Sequence, residues 1–307
     1  MALWHRKSVF LLYNPCMKRD TLERRVQIAN DIMFYIYTHI DTDIDIDALS
    51  RDLDVSRFHM QRVFKEVFGR NIYESIKSIR LQKASNLLLT NRYSTITDIA
   101  QLCGYSSQTS FIRAFKARFE MTPKAWRQGG YGDYSAKILS TSHFARTSQA
   151  SFEHLRPEIV KMPRMQAYYI RHRGYNDAVR ETWQKLQTWC FHNNITKYEQ
   201  IALFHDNPTV TPLEECHYVA CIRTDHIPKK SRYRLPIFDI SDGIYARFDL
   251  QGVHGDVLKF IRWVYHEWLP QSDYETTTKP SYAIYRTNNY LDPSGHFDLS
   301  FYLSIRY

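Results

Sequence analysis

Two short helical patterns joined by a turn at Gly104 make up the stretch Ile96–Arg127. Apolar residues recur at helical spacing before the turn, and Phe111, Phe115 and Phe119 form the apolar face of the second pattern. Most other positions of the second pattern are polar or basic. Two short helices joined by a tight glycine turn, the second carrying hydrogen-bond donors, predict a helix-turn-helix that enters a DNA major groove.

The same pattern occurs once earlier in the chain, at Leu49–Phe68. Its Ser56, Met60, Arg62, Phe64, Lys65 and Phe68 match Ser107, Phe111, Arg113, Phe115, Lys116 and Phe119 at a constant offset of 51 residues. A single motif of this kind is a weak indication, whereas two copies in the same internal register are a strong one. The sequence therefore predicts two DNA-reading units.

Positive charge is concentrated in the part of the chain that carries both motifs. Residues 1–130 hold 20 Lys and Arg against 13 Asp and Glu, whereas residues 131–307 hold 21 against 19. A basic region with two helix-turn-helix patterns favours a polyanionic partner, and we expect double-stranded DNA. Charge alone does not exclude a role in solubility only.

Reactive side chains form no pattern typical of a catalytic, cofactor or metal site. The five cysteines (Cys16, Cys103, Cys190, Cys216 and Cys221) contain no CxxC pair, and the 13 histidines contain no HExxH spacing. No Ser-His-Asp set, glycine-rich phosphate loop or pair of carboxylates stands out. We expect reduced thiols, no metal, no cofactor and no enzymatic activity.

The beginning of the chain resembles neither an export signal nor a membrane span. Its apolar run, Val9–Tyr13, is too short for either, and no small-residue cleavage site follows it. We therefore expect no membrane partner and a cytoplasmic location in association with the nucleoid.

Periodicity and composition divide the chain into four segments. Residues 1–21 lack periodicity and are interpreted as an N-terminal arm, and residues 22–128 carry helical patterns, including a long helix over 71–91. Residues 129–151 are rich in Gly, Ser and Thr, which predicts a linker. Residues 152–307 form a second domain, rich in aromatic residues.

The C-terminal pattern predicts an α+β domain. Alternation at Met165–Arg171 and Phe297–Ile305 indicates strands, whereas Ala178–Trp189 and Gly255–Trp268 show helical spacing. Strand, helix and strands occur twice, which predicts two pseudo-symmetric strand-helix-strand units. The predicted fold class is multidomain: an all-α N-terminal domain with two helix-turn-helix motifs joined by a long helix, followed by this α+β domain.

Residues 22–128 resemble the DNA-binding domain of the AraC/XylS family of transcription regulators. The matching residues are Leu49, Ser56, Arg62, Phe64, Lys65, Gly69, Ile99, Ala100, Gly104, Tyr105, Phe111, Arg113, Phe115, Lys116, Thr122, Pro123 and Arg127. The family usually has Gly where Glu120 stands, a departure confined to a turn. The resemblance implies two recognition helices in successive major grooves, one helical turn or roughly 34 Å apart, and a contact with RNA polymerase.

Nine side chains on the open faces of the motifs are candidates for DNA binding. They are Arg57, His59, Gln61 and Arg62 in the first motif, and Ser107, Gln108, Thr109, Arg113 and Lys116 in the second. Arg favours guanine and Gln favours adenine through bidentate hydrogen bonds. Some of these residues are expected to contact only phosphate or solvent, and Arg62 and Arg113 have intramolecular pairing as an alternative.

Four motifs resemble the gyrase-inhibitor-like effector domain across essentially all of residues 152–307. They are VKMPRMQAYYIRHRGYND, HDNPTVTPLEECHYVACI, SDGIYARFDLQGVHGD and WLPQSDYE. The order of the two domains resembles the Rob-type branch of the AraC/XylS family. The resemblance implies two pseudo-symmetric halves around an aromatic cleft that binds amphipathic, often cationic, small molecules.

Matching to that family places six residues at the effector cleft: Tyr169, Phe204, Glu267, Trp268, Tyr285 and Tyr302. The family usually has a Glu at the position of Ala283, where it pairs with a ligand cation or acts as a catalytic carboxylate. Glu267 is the acid beside the helix end that could replace it. Each aromatic residue also suits an ordinary core position, since aromatic side chains dominate cores.

Three functions remain open at this stage. The first is a sequence-specific DNA-binding regulator whose C-terminal domain senses an amphipathic or aromatic small molecule. The second keeps DNA binding but makes the C-terminal domain a ligand-free module that contacts other proteins. The third is a small-molecule hydrolase, for which the carboxylate that the family places at position 283 is missing.

Overall fold

The computed structural model describes residues 19–40, 42, 44–91, 93–226, 235–277 and 279–307. The N-terminal part is helical: α1 (Arg19–His39), α2 (Ile46–Asp52), α3 (Arg57–Phe68), α4 (Ile72–Thr90), α5 (Ile96–Leu102), α6 (Gln108–Phe119) and α7 (Pro123–Ala125). Residues 1–18 of the predicted N-terminal arm lie outside the described residues.

Local signals determine where the second helix of each motif begins and ends. The hydroxyls of Ser56 and Ser107 each accept a hydrogen bond, 3.2 Å long, from the backbone N–H three residues further on. The helices end at Gly69 and Glu120, which have φ angles of 71° and 60°. The two motifs therefore begin and end alike, at equivalent positions of the repeat.

The long helix α4 connects the two motifs. Apolar residues in 72–79 belong to the core of the first motif, and those in 81–89 belong to the core of the second. Between these two sets, Arg80 donates hydrogen bonds to the carbonyls of Thr42 and Gly104, at 3.0 and 3.1 Å. The long helix predicted over 71–91 is thus present as α4, and it joins the two motifs.

Helices occupy much of the predicted linker, residues 129–151. A π-helical turn at Trp126–Gly130 leads into α8 (Tyr131–Leu139), and α9 (His143–Thr147) follows. Two tyrosines of α8 pack against the core of the second motif, and this burial offsets the low helix propensity of Gly and Ser. The domain boundaries at 128 and 152 remain a prediction.

The C-terminal part is rich in strands. Its elements are β1 (Glu158–Met162), β2 (Met165–Arg173), α10 (Val179–His192), β3 (Glu199–Phe204), β4 (His217–Arg223), β5 (Ile237–Ile240), β6 (Gly243–Val253), α11 (Asp256–Trp263), a π-helical turn (Val264–Trp268), α12 (Leu269–Gln271), β7 (Glu275–Thr276), β8 (Ser281–Thr287) and β9 (His296–Arg306). A helical part followed by a strand-rich part agrees with the predicted two-domain layout.

The strands form one sheet with a different partner on each face. Its order is β1-β6-β9-β8-β3-β4-β2-β5, with β7 paired to β9 off this path, and each pairing is antiparallel. On one face, α10 and α11 contribute Trp183 and Phe260 to a large core. On the other face, Phe34 and Tyr37 of α1 lie beside Phe238 of the sheet. The sheet therefore lies between its own helices and the N-terminal domain.

Candidate DNA interface and ligand cleft

The first motif presents its four predicted DNA-binding residues on α3. Arg57 and Arg62 are exposed, and His59 and Gln61 are half-buried. Arg57 donates to the Tyr73 hydroxyl at 2.8 Å and forms an exposed ion pair with an aspartate of α2. Arg62 Nη2 lies 3.3 Å from His59 Nδ1. These contacts orient both guanidinium groups at the surface.

The second motif presents a matching surface on α6. All five of its predicted DNA-binding residues are exposed: Ser107, Gln108, Thr109, Arg113 and Lys116. The three phenylalanines of α6 are fully buried on the opposite side of the helix. The apolar periodicity read from the sequence therefore separates the buried and open faces of this helix correctly.

Phe58 is an exposed apolar residue on α3 that the sequence reading did not single out. Its exposed fraction is 78%, although the neighbouring Met60 is fully buried. An apolar side chain on a helix that reads the major groove can contact the methyl group of thymine. Its position next to Arg57, outside the apolar stripe of the helix, was the available signal.

A cavity of about 250 Å³ lies where α10 and α11 begin, above the ends of β3, β4 and β8. Its lining residues are Thr141, Ser142, His143, Tyr175, Asn176, Asp177, Phe204, Tyr218, His254, Gly255, Val257, Leu258, Tyr285, Asn289 and Tyr290. We call this cavity the cleft. Four tyrosines and a phenylalanine give it the aromatic character expected from the family resemblance.

The interior of the cleft is uncharged. Burial raises the pKa of Tyr175, Tyr218 and Tyr290 well above 10, so these phenols stay protonated. Burial also lowers the pKa of His254, so its imidazole is neutral at pH 7. Among the described lining residues, Asp177 alone has a carboxyl side chain, and it is exposed at the edge.

Two buried polar atoms of the cleft lack a hydrogen-bond partner within the described part of the chain: Tyr175 Oη and Asn289 Oδ1. The amide nitrogen of Asn289 lies 2.7 Å from His254 Nδ1, so the amide is held in place. Burying a polar atom without a partner costs free energy. A ligand that donates a hydrogen bond to Asn289 would remove that cost.

The structure brings two of the six predicted effector residues, Phe204 and Tyr285, to the cleft. Tyr169 and Tyr302 lie on the opposite face of the sheet, in a separate core cluster, so their predicted place in the cleft needs correction. Successive residues of a strand point to opposite faces. The neighbouring Tyr168 accordingly packs on Trp189 of α10, with ring centroids 4.8 Å apart.

The other two predicted effector residues also lie outside the cleft lining. Glu267 lines a different cavity, of about 390 Å³, beside α11, and its carboxylate lies 3.8 Å from Arg262 Nη1. Trp268 packs on Phe248, with ring centroids 5.0 Å apart. Ala283 is fully buried in β8. Glu267 therefore does not replace the carboxylate that the family usually has at position 283.

Within the described residues, no group of three or more His, Cys, Asp or Glu side chains could hold a metal ion. The described cysteines Cys103, Cys190, Cys216 and Cys221 are buried free thiols. In the same part of the chain, each helix is too short or too polar to cross a membrane.

Two family models match separate parts of the chain. Residues 49–129 match a helix-turn-helix domain, and residues 155–306 match a GyrI-like small molecule binding domain. The Proteus vulgaris protein named Probable transcription factor PqrA is 35% identical over 105 residues, which are 34% of this chain and 85% of that protein. The chain belongs to the AraC/XylS family of transcription regulators. Both resemblances read from the sequence are therefore confirmed.

Two further AraC/XylS relatives match over a similar number of residues. The Transcriptional regulator Rob of Salmonella typhimurium is 36% identical over 102 residues, 33% of this chain and 35% of that protein. The Xylose operon regulatory protein of Escherichia coli is 36% identical over 95 residues, 31% of this chain and 24% of that protein. The chain thus spans about a third or less of the length of these two relatives.

Family membership identifies the coarse function. The protein is a DNA-binding transcription regulator with a GyrI-like small-molecule-binding domain. These relatives are named as transcription regulators, which agrees with the prediction that the chain is a DNA-binding regulator and not an enzyme. The hydrolase hypothesis is therefore not supported.

Proposed function

We propose that this AraC/XylS regulator reads two successive major-groove segments of one duplex with α3 and α6. In this proposal it responds to an uncharged aromatic small molecule and acts at the nucleoid by contacting RNA polymerase. The observation that carries the proposal is the repetition of one surface: two equally capped helices expose polar and basic residues at equivalent positions. Two such surfaces on one chain suffice for an asymmetric DNA site.

Arg62 and Arg113 support this reading most directly. They are equivalent in the two repeats, and both are exposed. Arg62 approaches only His59, and neither arginine forms an ion pair with a described residue. Apart from the contact of Arg62 with His59, intramolecular pairing, the alternative role considered for them, has no ion pair to support it in the described part of the chain. Each guanidinium is available for bidentate binding to guanine or for contact with phosphate.

Selection of bound duplexes from a random pool tests the two-segment reading. The full-length protein is expected to enrich an asymmetric motif of two blocks. Arg62→Ala is expected to relax base preference in one block and Arg113→Ala in the other, each costing roughly 1–3 kcal/mol of binding free energy. Arg223→Ala, which removes a half-buried arginine paired with Glu199 in the C-terminal domain, serves as the matched control. Failure of the full-length protein to enrich any motif would contradict the proposal.

The strand order supports two pseudo-symmetric halves around the cleft. The adjacent strands β3 and β8 each continue outward through two further strands, β4 and β2 on one side, β9 and β6 on the other. Along the chain, α10 follows β2 and α11 follows β6. Each half then reads strand, helix, strand and strand, and the cleft lies where the two helices begin.

The chemistry of the cleft supports an uncharged ligand. A cation placed deep in the cleft would be buried without a counter-ion, because Ala283 supplies no carboxylate and Asp177 is at the edge. The aromatic side chains offer stacking surfaces, and Asn289 Oδ1 offers an unpartnered acceptor. A flat, uncharged molecule with one hydrogen-bond donor fits this combination.

Benzamide and benzamidine test the ligand class because they share a shape and differ in charge. Titration calorimetry is expected to show that uncharged benzamide binds more tightly than benzamidine, by about tenfold or more. The reason is that the benzamidine cation would be buried in the cleft without a counter-ion. Asn289→Leu is expected to weaken benzamide binding, whereas Tyr169→Phe, on the opposite face of the sheet, should leave it unchanged. Tighter binding of benzamidine would contradict the ligand class. Absence of saturable binding by both would favour the ligand-free alternative.

A further inference from the structure

Residues 205–216 connect β3 to β4 and contain no helix or strand; we call this segment the bridging loop, and its first seven residues, 205–211, are buried. The exposed fraction is 6% for His205 and 0% for Asp206, Thr209 and Val210. Loops normally run over the protein surface, because their backbone groups need water as a partner. This loop is buried because helices of the N-terminal domain pack on it.

Asp206 attaches the bridging loop to the first motif through Arg70, and to α4, the helix that joins the two motifs, through Gln82. One carboxylate oxygen accepts hydrogen bonds from Arg70, directly after α3, and from Gln82 of α4, both at 3.3 Å. The other oxygen accepts from the backbone N–H of His217 at 3.0 Å and lies 2.7 Å from its Nδ1. Gln82 also accepts from the backbone N–H of Asn207 at 3.1 Å. Burial alone would raise the pKa of Asp206. The hydrogen bond from His217 and the charge of Arg70 lower the pKa by more than burial raises it, so the Asp206 side chain is an anion.

Helix α1 adds a second set of contacts on the same side. The hydroxyl of Tyr37 donates to the carbonyl of His205 at 3.1 Å, and the two rings stack with centroids 5.3 Å apart. Nearby, Arg171 of β2 lies 4.4 Å from the ring of Phe68 and donates to Asn30 at 3.1 Å. The first motif and α1 therefore contact both the beginning of the loop and the adjacent strand β2.

Val210 attaches the same loop to the second motif. Its side chain is fully buried in the core cluster that contains Phe119 and Trp126. Its carbonyl accepts a hydrogen bond from Arg118 of α6 at 3.2 Å. Asp206 and Val210 are four positions apart in the chain. One short, buried segment of the C-terminal domain therefore contacts both DNA-reading motifs.

We propose that the bridging loop sets the distance and angle between α3 and α6, and so determines which spacing of two DNA segments the protein reads. This inference rests on the proposed two-segment reading. Through the N-terminal domain alone, α4 and the Arg80 hydrogen bonds join the motifs. The loop is a second connection between them, and a second connection restricts rotation about the first. One base pair of added spacer moves the second segment by about 3.4 Å and turns it by about 34°, so a restricted pair of helices tolerates few spacings.

Binding to duplexes that differ only in spacer length tests this inference. The duplex carries the two blocks enriched by the full-length protein, with the selected spacer or with one base pair added or removed. The unaltered protein is expected to lose about tenfold in affinity or more for each changed spacer, the scale of one mismatched contact. Val210→Ala and Gln82→Ala each weaken one attachment of the loop and are expected to reduce that loss to about threefold or less.

Val179→Ala is the matched control, because Val179 is a fully buried valine of α10 outside the bridging loop and its partners. It is expected to keep the spacing preference of the unaltered protein. Affinity for a duplex with the first block alone should be the same for all four proteins, which shows that the first motif is folded. Unchanged spacing preference in both Val210→Ala and Gln82→Ala would overturn the inference while leaving the two-segment reading intact. If the unaltered protein enriches no two-block motif, the proposed function itself fails.

Discussion

Glu120 has a left-handed backbone conformation, with a φ angle of 60°. The equivalent residue of the first motif is Gly69, for which this conformation carries no steric cost. The exposed ion pair between Glu120 and Lys137, at 3.7 Å, contributes little in water. Glu120→Gly is therefore expected to raise the free energy of unfolding by about 1 kcal/mol, measurable by urea denaturation.

The converse substitution provides the control for this prediction. Gly69→Ala places a Cβ atom at a φ of 71° and is expected to lower the free energy of unfolding by about 1 kcal/mol. Equal stability of Glu120→Gly and the unaltered protein would show that the left-handed turn costs nothing at this position.

Lys116 and Arg113 differ in what they can contribute to DNA binding. Both are exposed on α6, but an ammonium group acts mainly as a point charge for phosphate, whereas a guanidinium can recognise guanine. Lys116→Ala is expected to weaken binding equally for all sequences and to lower the slope of log affinity against log salt by about one. Fluorescence anisotropy at several salt concentrations measures both effects.

A matched control for Lys116→Ala is Lys197→Ala, which removes an exposed lysine of the C-terminal domain. It should change neither the affinity nor the salt dependence. A loss confined to particular bases in Lys116→Ala would mean that Lys116 reads sequence.

At the scale of elements, the turn between α5 and α6 depends on Gly104. Its φ is 73°, and a Cβ there would lie 2.6 Å from Cζ of Arg80, the side chain whose hydrogen bonds connect Thr42 with Gly104. Gly104→Ala is therefore expected to lower the free energy of unfolding by more than about 1 kcal/mol. Thermal unfolding followed by circular dichroism measures the change.

Gly132→Ala distinguishes this effect from a general effect of glycine replacement. Gly132 lies in α8, and a Cβ built there meets nothing within 4 Å. Since alanine favours a helix over glycine, Gly132→Ala is expected to stabilise the protein by about 0.5–1 kcal/mol. Destabilisation by both substitutions to a similar extent would contradict the role assigned to Gly104.

The sequence predicted elements well where the pattern is local. The repeated phenylalanines specify the buried face of both motifs without help from the rest of the chain, because apolar periodicity acts over one or two turns. α8 was not predicted, because it is stabilised by packing on the second motif rather than by its own propensity. Tyr169 and Tyr302 were assigned to the wrong face, since matching strands without their register does not determine which way a residue points.

At the scale of the whole molecule, buried histidines make stability depend on pH. Burial and the charge of Arg171 lower the pKa of His205 well below 6.5, and burial lowers that of His266 to about 3. The folded protein therefore keeps both neutral, whereas the unfolded chain takes up protons near pH 6.5. Stability is expected to fall as pH falls below 6.5, by up to about tenfold in the unfolding equilibrium constant per pH unit for each histidine.

Urea denaturation at pH 7, 6 and 5 measures this dependence. His266→Gln is expected to make it shallower by removing one of the two histidines, and the lowered pKa of Asp206 adds a further loss only below pH 3.8. A free energy of unfolding that stays constant between pH 7 and 5 would contradict the prediction.

The contacts between the domains could not be predicted from the sequence. The sequence shows the two domains, but Asp206, His217 and Val210 look like ordinary loop and strand residues until the partners Arg70, Gln82 and Arg118 are known. Long-range pairs of this kind have no periodicity and no fixed separation. The cleft was predicted as aromatic, whereas Asn289 and His254 in its lining carried no signal.

The bridging loop begins and ends at the cleft, since Phe204 is the last residue of β3 and Tyr218 the second residue of β4. Free-energy coupling between two binding sites is reciprocal. If a ligand changes the affinity for a promoter by some factor through this loop, that promoter changes the affinity for the ligand by the same factor. Identical regulator molecules bound at two promoters with different spacers would then respond at different ligand concentrations. Each promoter would thereby set the ligand concentration at which its own regulator responds.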